Sequence, residues 1–330
     1  MSKLSDAFII RGKQIKNRIV MPPMMCFTFQ GDNGGIYGRQ HVEHYTARAR
    51  GGAGLIIVQA TFVAGAANNT GVWSREQLAP LKAIAANCRR DGAAVMLQLA
   101  LSDMDSNTLT LEQLQAFQAD TVAAAQKAYE AGFDGIEMHF AHGYTLNKLL
   151  DPTYNKRTDR FGGSLENRAR FLTEIIPQLR AGTGENFILC VRMGGNVPDL
   201  AGAIETARLW EQSGIDLLHI SFGMQEPVNE KPADFTGTVM AYNASEIKRH
   251  VHLPVIAVSG ITTAMQASYL IENDYVDFVA VGRGMFADEN WTNKVLNNEP
   301  VDECRHCGGS ARGCFWFTDH TKCPARKGAN

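Results

Sequence analysis

The chain has 330 residues, 45% of them hydrophobic, with 32 basic and 34 acidic side chains and a formal net charge of -2. That balance gives no electrostatic footing for nucleic acid or an anionic membrane, and no apolar run reaches the roughly 18 residues of a membrane span. The N-terminus MSKLSDAFIIRGKQ lacks a signal-peptide core and the seven cysteines are odd in number, so reduced thiols in a cytoplasmic protein are expected.

Short apolar runs rich in β-branched residues alternate with longer stretches of helical spacing. In chain order, strand 19–24 is followed by helix 40–50, strand 54–61 by helix 76–90, strand 93–99 by helix 111–130, and strand 135–140 by helix 165–180. Strand 187–193 precedes helix 203–212, strand 216–221 precedes 245–250, strand 254–260 precedes 264–272, and strand 277–282 precedes 290–296. Continuous hydrophobicity of this kind suits parallel strands covered on both faces. Gly92, Gly132 and Gly214 follow periodic runs as helix stops, and Ser74 and Thr110 are candidate N-caps.

Eight strand–helix units without a break in composition predict an α/β fold, a single-domain (β/α)₈ TIM barrel over about residues 1–300 with a short tail over 301–330. The stretch GGAGL at 51–55 precedes a strand instead of following one, so no Rossmann unit is read there.

In such a barrel, chemistry gathers at the carboxyl ends of the strands. The third strand ends at Gln98, the fourth at His139, the fifth at Arg192, the seventh at Ser259-Gly260 and the eighth at Gly282-Arg283. Each has a plain structural alternative: a satisfied core histidine, a buried hydrogen bond for Gln98, or a pairing of Arg192 with Glu137. Five such residues at one rim point to a site. The small residues of AVSGIT and VGRGMF, with Arg283, suit a phosphate at the corner formed by the last two strands. At the end of the fourth strand, MHFAHGY crowds His139, His142 and Tyr144 together.

From about residue 5 to 300 the sequence resembles the old yellow enzyme family of FMN-dependent ene reductases. The likeness rests on NRIVMPPM, GLIIVQAT, GVWS, QLA, VRM, AVSGIT and VGR, and above all on FDGIEMHFAHGYTLNKLLDPTYNKRTDRFGGSLENRARF at 133–171. It implies that His139 and His142 donate hydrogen bonds to the carbonyl oxygen of an α,β-unsaturated substrate and that Tyr144 supplies a proton. It implies that Gln98 meets the pyrimidine edge of FMN, and that Arg192 faces N1 and the C2 carbonyl. Pro23, Met24, Met25 and Ala60 would lie near the ring, and Ser259, Gly260, Gly282 and Arg283 at the phosphate. NAD(P)H would be the electron donor, a small molecule with an activated double bond the substrate, and a homo-oligomer possible.

Three features depart from the family pattern. Relatives often carry Thr or Cys directly after the PPM or SPM stretch, where this chain has Met25, with Cys26 one place later. Either the flavin lacks a donor there or a local shift brings in Cys26. After QLA a long excursion is replaced by Leu101-Ser102-Asp103-Met104, which predicts an open pocket. The tail spaces Cys304, Cys307, Cys314 and Cys323 as C-x2-C-x6-C-x8-C, a set that could ligate a [4Fe–4S] cluster or zinc, or be a remnant packed on the barrel. Two other readings follow: an iron–sulfur enoyl reductase related to 2,4-dienoyl-CoA reductase, and a flavin-binding sensor or partner subunit without turnover. A Schiff-base aldolase is disfavoured because no strand ends in lysine, Lys148 being the nearest.

Overall fold

In a computed structural model the described residues are 3–26, 29, 35–65, 70–307, 314 and 322–326. The chain opens with an antiparallel hairpin, β1 (Phe8–Ile10) and β2 (Lys13–Ile15), turned by Arg11 and Gly12, both at positive φ. Then β3 (Ile19–Met21), α1 (Arg39–Arg50), β4 (Leu55–Phe62), α2 (Leu78–Arg90), β5 (Ala94–Ala100), α3 (Leu111–Glu130) and β6 (Gly135–Phe140) follow. After α4 (Thr145–Leu150), α5 (Leu165–Thr173) and α6 (Ile176–Gly182) come β7 (Ile188–Gly194), α7 (Leu200–Gln212), β8 (Leu217–Ser221) and α8 (Val239–Lys248). The chain continues through β9 (Val255–Ala257), α9 (Ala264–Glu272), β10 (Phe278–Ala280), α10 (Gly282–Ala287) and α11 (Trp291–Leu296). Strands β3 to β10 close, all parallel, into one barrel with β10 beside β3. The TIM barrel expected from the sequence is therefore present.

Side-chain alternation divides the barrel interior into layers. Ile10 and Ile15 of the hairpin pack with Leu55, Ile57, Met96, Ile188, Leu217 and Phe278, an apolar layer at the amino-terminal end of the strands. Gln98 and His219 lie two residues beyond Met96 and Leu217, and Arg192 four beyond Ile188, on the same inward face, and the register sets Glu137 beside Gln98 and His139 beside Arg192. The outward faces join the helices in a second, larger apolar cluster. Among the described residues no helix is long and apolar enough to cross a membrane.

Several boundaries differ from those read in the sequence, each for a local reason. Strand β3 stops at Met21 because Pro22 and Pro23 follow and proline cannot donate to a ladder. The helix expected over 165–180 is two, α5 and α6, with Pro177 in the first turn of the second. Thr238 caps α8 and Asp199 caps α7, so both begin earlier than expected. The last strand ends at Ala280, and Gly282 already belongs to α10.

Thr110 caps α3 in a full capping box with Gln113. Ser74 does not cap α2, whose N-cap is Gln77; its backbone N–H donates to Gln77 Oε1 in the preceding turn. Thr110→Ala should therefore lower stability by about 1 kcal/mol, read as a lower urea midpoint; an unchanged midpoint would refute the cap's contribution.

Candidate active site

The connections leaving the carboxyl ends of the strands surround a cavity of about 860 Å³. Pro23, Met24 and Met25 reach it from the segment after β3, and Ala60 and Gln98 from β4 and β5. His139 and Arg192 line it from β6 and β7, His142 and Tyr144 from the turn into α4, and Ser259 from the end of β9. Ten of the residues singled out from the sequence thus share one space.

Gly260, Gly282 and Arg283 flank that space. A Cβ on Gly260, at φ +73, would lie 2.6 Å from Thr238 Cγ2, and one on Gly282 would lie 2.8 Å from Met24 Sδ, so a side chain at either position would force a neighbour to shift. Arg283 is half-buried, with Nη1 3.3 Å from His306 Nδ1 in the tail.

Below the mouth lies a buried polar layer built around Glu137. Its carboxylate receives Gln98 Nε2 at 2.7 Å, His219 Nδ1 at 2.7 Å and the Cys190 thiol at 3.6 Å. Burial alone would raise this carboxyl; the His219 contact, the Arg192 charge and the Gln98 amide outweigh it and hold it below its ordinary value. Burial pushes His219 down, so the pair is an ionised Glu137 with a neutral His219 donating from Nδ1. An ionised carboxylate only accepts, which turns the Gln98 amide nitrogen toward Glu137. Among the described residues no ion pair joins Arg192 to Glu137; the guanidinium donates instead to Ser221 Oγ at 3.4 Å, and its Nε has no partner.

Above this layer His139 Nε2 lies 3.0 Å from His142 Nδ1, and His142 Nε2 lies 2.8 Å from Ser221 Oγ. The ring of Tyr144 is 5.3 Å from that of His139 and is 46% exposed. Burial, reinforced by the Arg192 charge, pushes His139 down to about 3, so this imidazole is neutral at ordinary pH. His142 adopts φ 65, a left-handed conformation, and its backbone N–H donates to Phe222 O at 3.1 Å, tying the turn to the end of β8.

The model of the NADH:flavin oxidoreductase / NADH oxidase family matches residues 4–107 and 101–302. The chain belongs to the old yellow enzyme family. This places it among the NAD(P)H-dependent flavin oxidoreductases. It is 33% identical over 316 residues to an NADPH dehydrogenase of Geobacillus sp. (strain WCH70), covering 87% of this chain and 92% of that one. It is 32% identical over 342 residues to an NADH oxidase of Thermoanaerobacter brockii, covering 91% of this chain but 52% of that protein. A 2-naphthoyl-CoA reductase, solved with 2-naphthoyl-CoA, shares the fold at a TM-score of 0.84 and 23% identity, covering 96% of this chain and 55% of that one. The chain thus spans about half the length of these last two.

Met25 lines the cavity, whereas Cys26 is 2% exposed with its thiol directed at Met24 O, 3.7 Å away. Burial pushes that thiol up to about 12. The short connection after β5 meets the cavity through Leu101, Ser102 and Asp103, and Asp103 pairs with Lys148 at 2.7 Å.

The tail cysteines do not assemble as the spacing suggested. Cys323 is buried while Cys307 is exposed, and among the described residues no three His, Cys, Asp or Glu side chains are grouped to hold a metal ion. Arg326 secures the Cys323 segment to the barrel through Phe286 O and Glu289, 3.1 and 2.9 Å away.

Sequence reasoning passed over His219 and Ser221, which stand in the run LLHIS on β8. Their signal was the two-residue step that aligns them with Leu217 on the inward face.

A neutral His139 makes stability depend on pH. Its folded value lies below the unfolded one, so the unfolded chain takes up a proton first as pH falls from about 6.5 toward 3. That contribution to stability is whole above the window and declines through it, by at most about 1.4 kcal/mol per pH unit. His139→Asn should flatten the fall of the urea midpoint between about pH 6 and 4; an equally steep fall would argue that His139 is charged in the fold.

Proposed function

We propose that this chain binds FMN at the barrel mouth, takes electrons from NAD(P)H and reduces the activated C=C bond of an α,β-unsaturated carbonyl compound. The observation that carries this reading is the pairing of a neutral His139 with His142, 3.0 Å apart, with the Tyr144 ring beside them on a cavity that Gln98 and Arg192 also line.

The residues present suit the flavin. Arg192 brings a buried cation whose Nε is unpartnered, Gln98 brings an amide with its nitrogen already committed to Glu137, and Gly260 and Gly282 allow close backbone approach. When bound, reduced FMN would supply a hydride, the electron pair together with its hydrogen, to the substrate's β-carbon. His139 and His142 hold the carbonyl oxygen and stabilise the negative charge that develops there. A histidine kept neutral offers a hydrogen bond but no surplus proton, so His139 is not the acid. Tyr144, exposed at the mouth, provides the proton for the α-carbon and recovers it from solvent. Met25 presents a thioether, which cannot donate a hydrogen bond to the flavin.

Purified protein supplied with FMN should be yellow, bleach with NADPH or NADH, and recolour with cyclohexenone. His139→Ala should keep its colour while recolouring slows by about 10²–10³; an unaltered rate would remove the assigned role, and protein that takes up no FMN would end the reading.

Met25→Thr offers a hydroxyl where the thioether stands. A dye-equilibrated titration should place its flavin at a higher reduction potential than the wild type's, and equal potentials would show that position 25 does not tune the ring.

A further inference from the structure

Ser221 ends β8 almost wholly buried, between two parts of the site. Its Oγ is 3.4 Å from Arg192 Nη2 on one side and 2.8 Å from His142 Nε2 on the other. A guanidinium has donors and no acceptor, so Ser221 Oγ accepts from Arg192. The hydroxyl has one hydrogen to give, and His142 Nε2 is the acceptor placed to take it. In the reverse arrangement Ser221 would accept from both neighbours and leave its own hydrogen buried without a partner, which costs free energy.

We propose that Ser221 is a positioning residue that, oriented by Arg192, donates to His142 Nε2 and fixes this imidazole as its Nδ1–H tautomer. Which nitrogen of a neutral histidine carries the proton is set by the bond that the other nitrogen makes. His142 Nδ1 lies 3.0 Å from His139 Nε2, so the fixed hydrogen points into the gap between the two imidazoles. That is the hydrogen an incoming carbonyl oxygen would receive. The backbone bond from His142 N–H to Phe222 O holds the same turn against the same strand end, which keeps the main chain of His142 beside Ser221. The direction of donation therefore runs from Arg192 through Ser221 to His142, linking the cation proposed for the flavin to the pair proposed for the substrate.

The kinetic consequence rests on the proposed function; the tautomer does not. Nitrogen-15 histidine spectra of the full chain with FMN, with His142 assigned by its loss in His142→Asn, read the tautomer with no substrate present. His142 should show a protonated Nδ1 and an unprotonated Nε2. Ser221→Ala should lose that preference, and Ser221→Thr, which keeps a hydroxyl, should retain it. Recolouring by cyclohexenone should slow by about 10–100-fold in Ser221→Ala, by analogy with metal-bound histidines that lose the partner orienting them, and recover in Ser221→Thr. A wild-type His142 protonated at Nε2, or a tautomer unmoved in Ser221→Ala, overturns the proposal even where enone turnover is intact. A serine-dependent Nδ1–H tautomer in a protein that never reoxidises with enone supports the Ser221 assignment and overturns the functional reading instead.

Discussion

The site depends on one buried carboxylate. Glu137 has none of its surface exposed and can only accept, so each polar group packed against it is obliged to donate. Gln98 gives its amide nitrogen, His219 its Nδ1–H and Cys190 its thiol hydrogen. A carboxylate this deep would be prohibitively costly without those donors and the nearby Arg192 charge. Once they are in place, the side chains above inherit fixed orientations. The same cation that helps keep Glu137 ionised helps keep His139 neutral, so one arrangement of charge settles both protonation states.

That arrangement is possible because the barrel is sealed beneath it. The β1–β2 hairpin packs Ile10 and Ile15 against the first apolar layer of the strands, leaving the polar layer open only toward the mouth. The hairpin itself escaped the reading of the sequence: three-residue strands around Arg11-Gly12 are too short for a two-residue period to declare itself. The eight barrel strands were legible because each is a mostly apolar run buried on both faces. Their ends were less so, since prolines after β3 and caps at Thr238 and Asp199 decide boundaries that hydrophobicity does not register.

The candidate site was legible to the extent that polarity interrupts apolarity. His139, His142 and Tyr144 stand out because they follow a buried run, and Gln98 and Arg192 because they end one. His219 and Ser221 fall inside five buried residues, and their two-residue step does not by itself say which face of the strand points inward. Only the register, which sets Arg192 opposite His219 and Gly194 opposite Ser221, turns them inward beside the others. The cysteines show the converse failure. Four thiols close in sequence suggested a ligand set, but Cys323 is buried, three residues before the anchored Arg326, while Cys307 stays at the surface.

Depth along the strands also assigns the chemistry. Glu137 and His219, at the lowest polar level, have no exposed surface and keep fixed protonation states. One level up, His139 and Arg192 are 7% and 8% exposed, reachable from the cavity yet dry enough for burial to govern their charge. Tyr144 lies beyond the strands in the turn before α4, where nearly half its surface meets solvent. A group that must hold a charge constant belongs below, and one that must lose and regain a proton belongs where water reaches it. Moving Tyr144, the proposed acid, down to the level of His139 would cut off its source of protons, and raising Glu137 to the mouth would let water replace Gln98 and His219 as its donors.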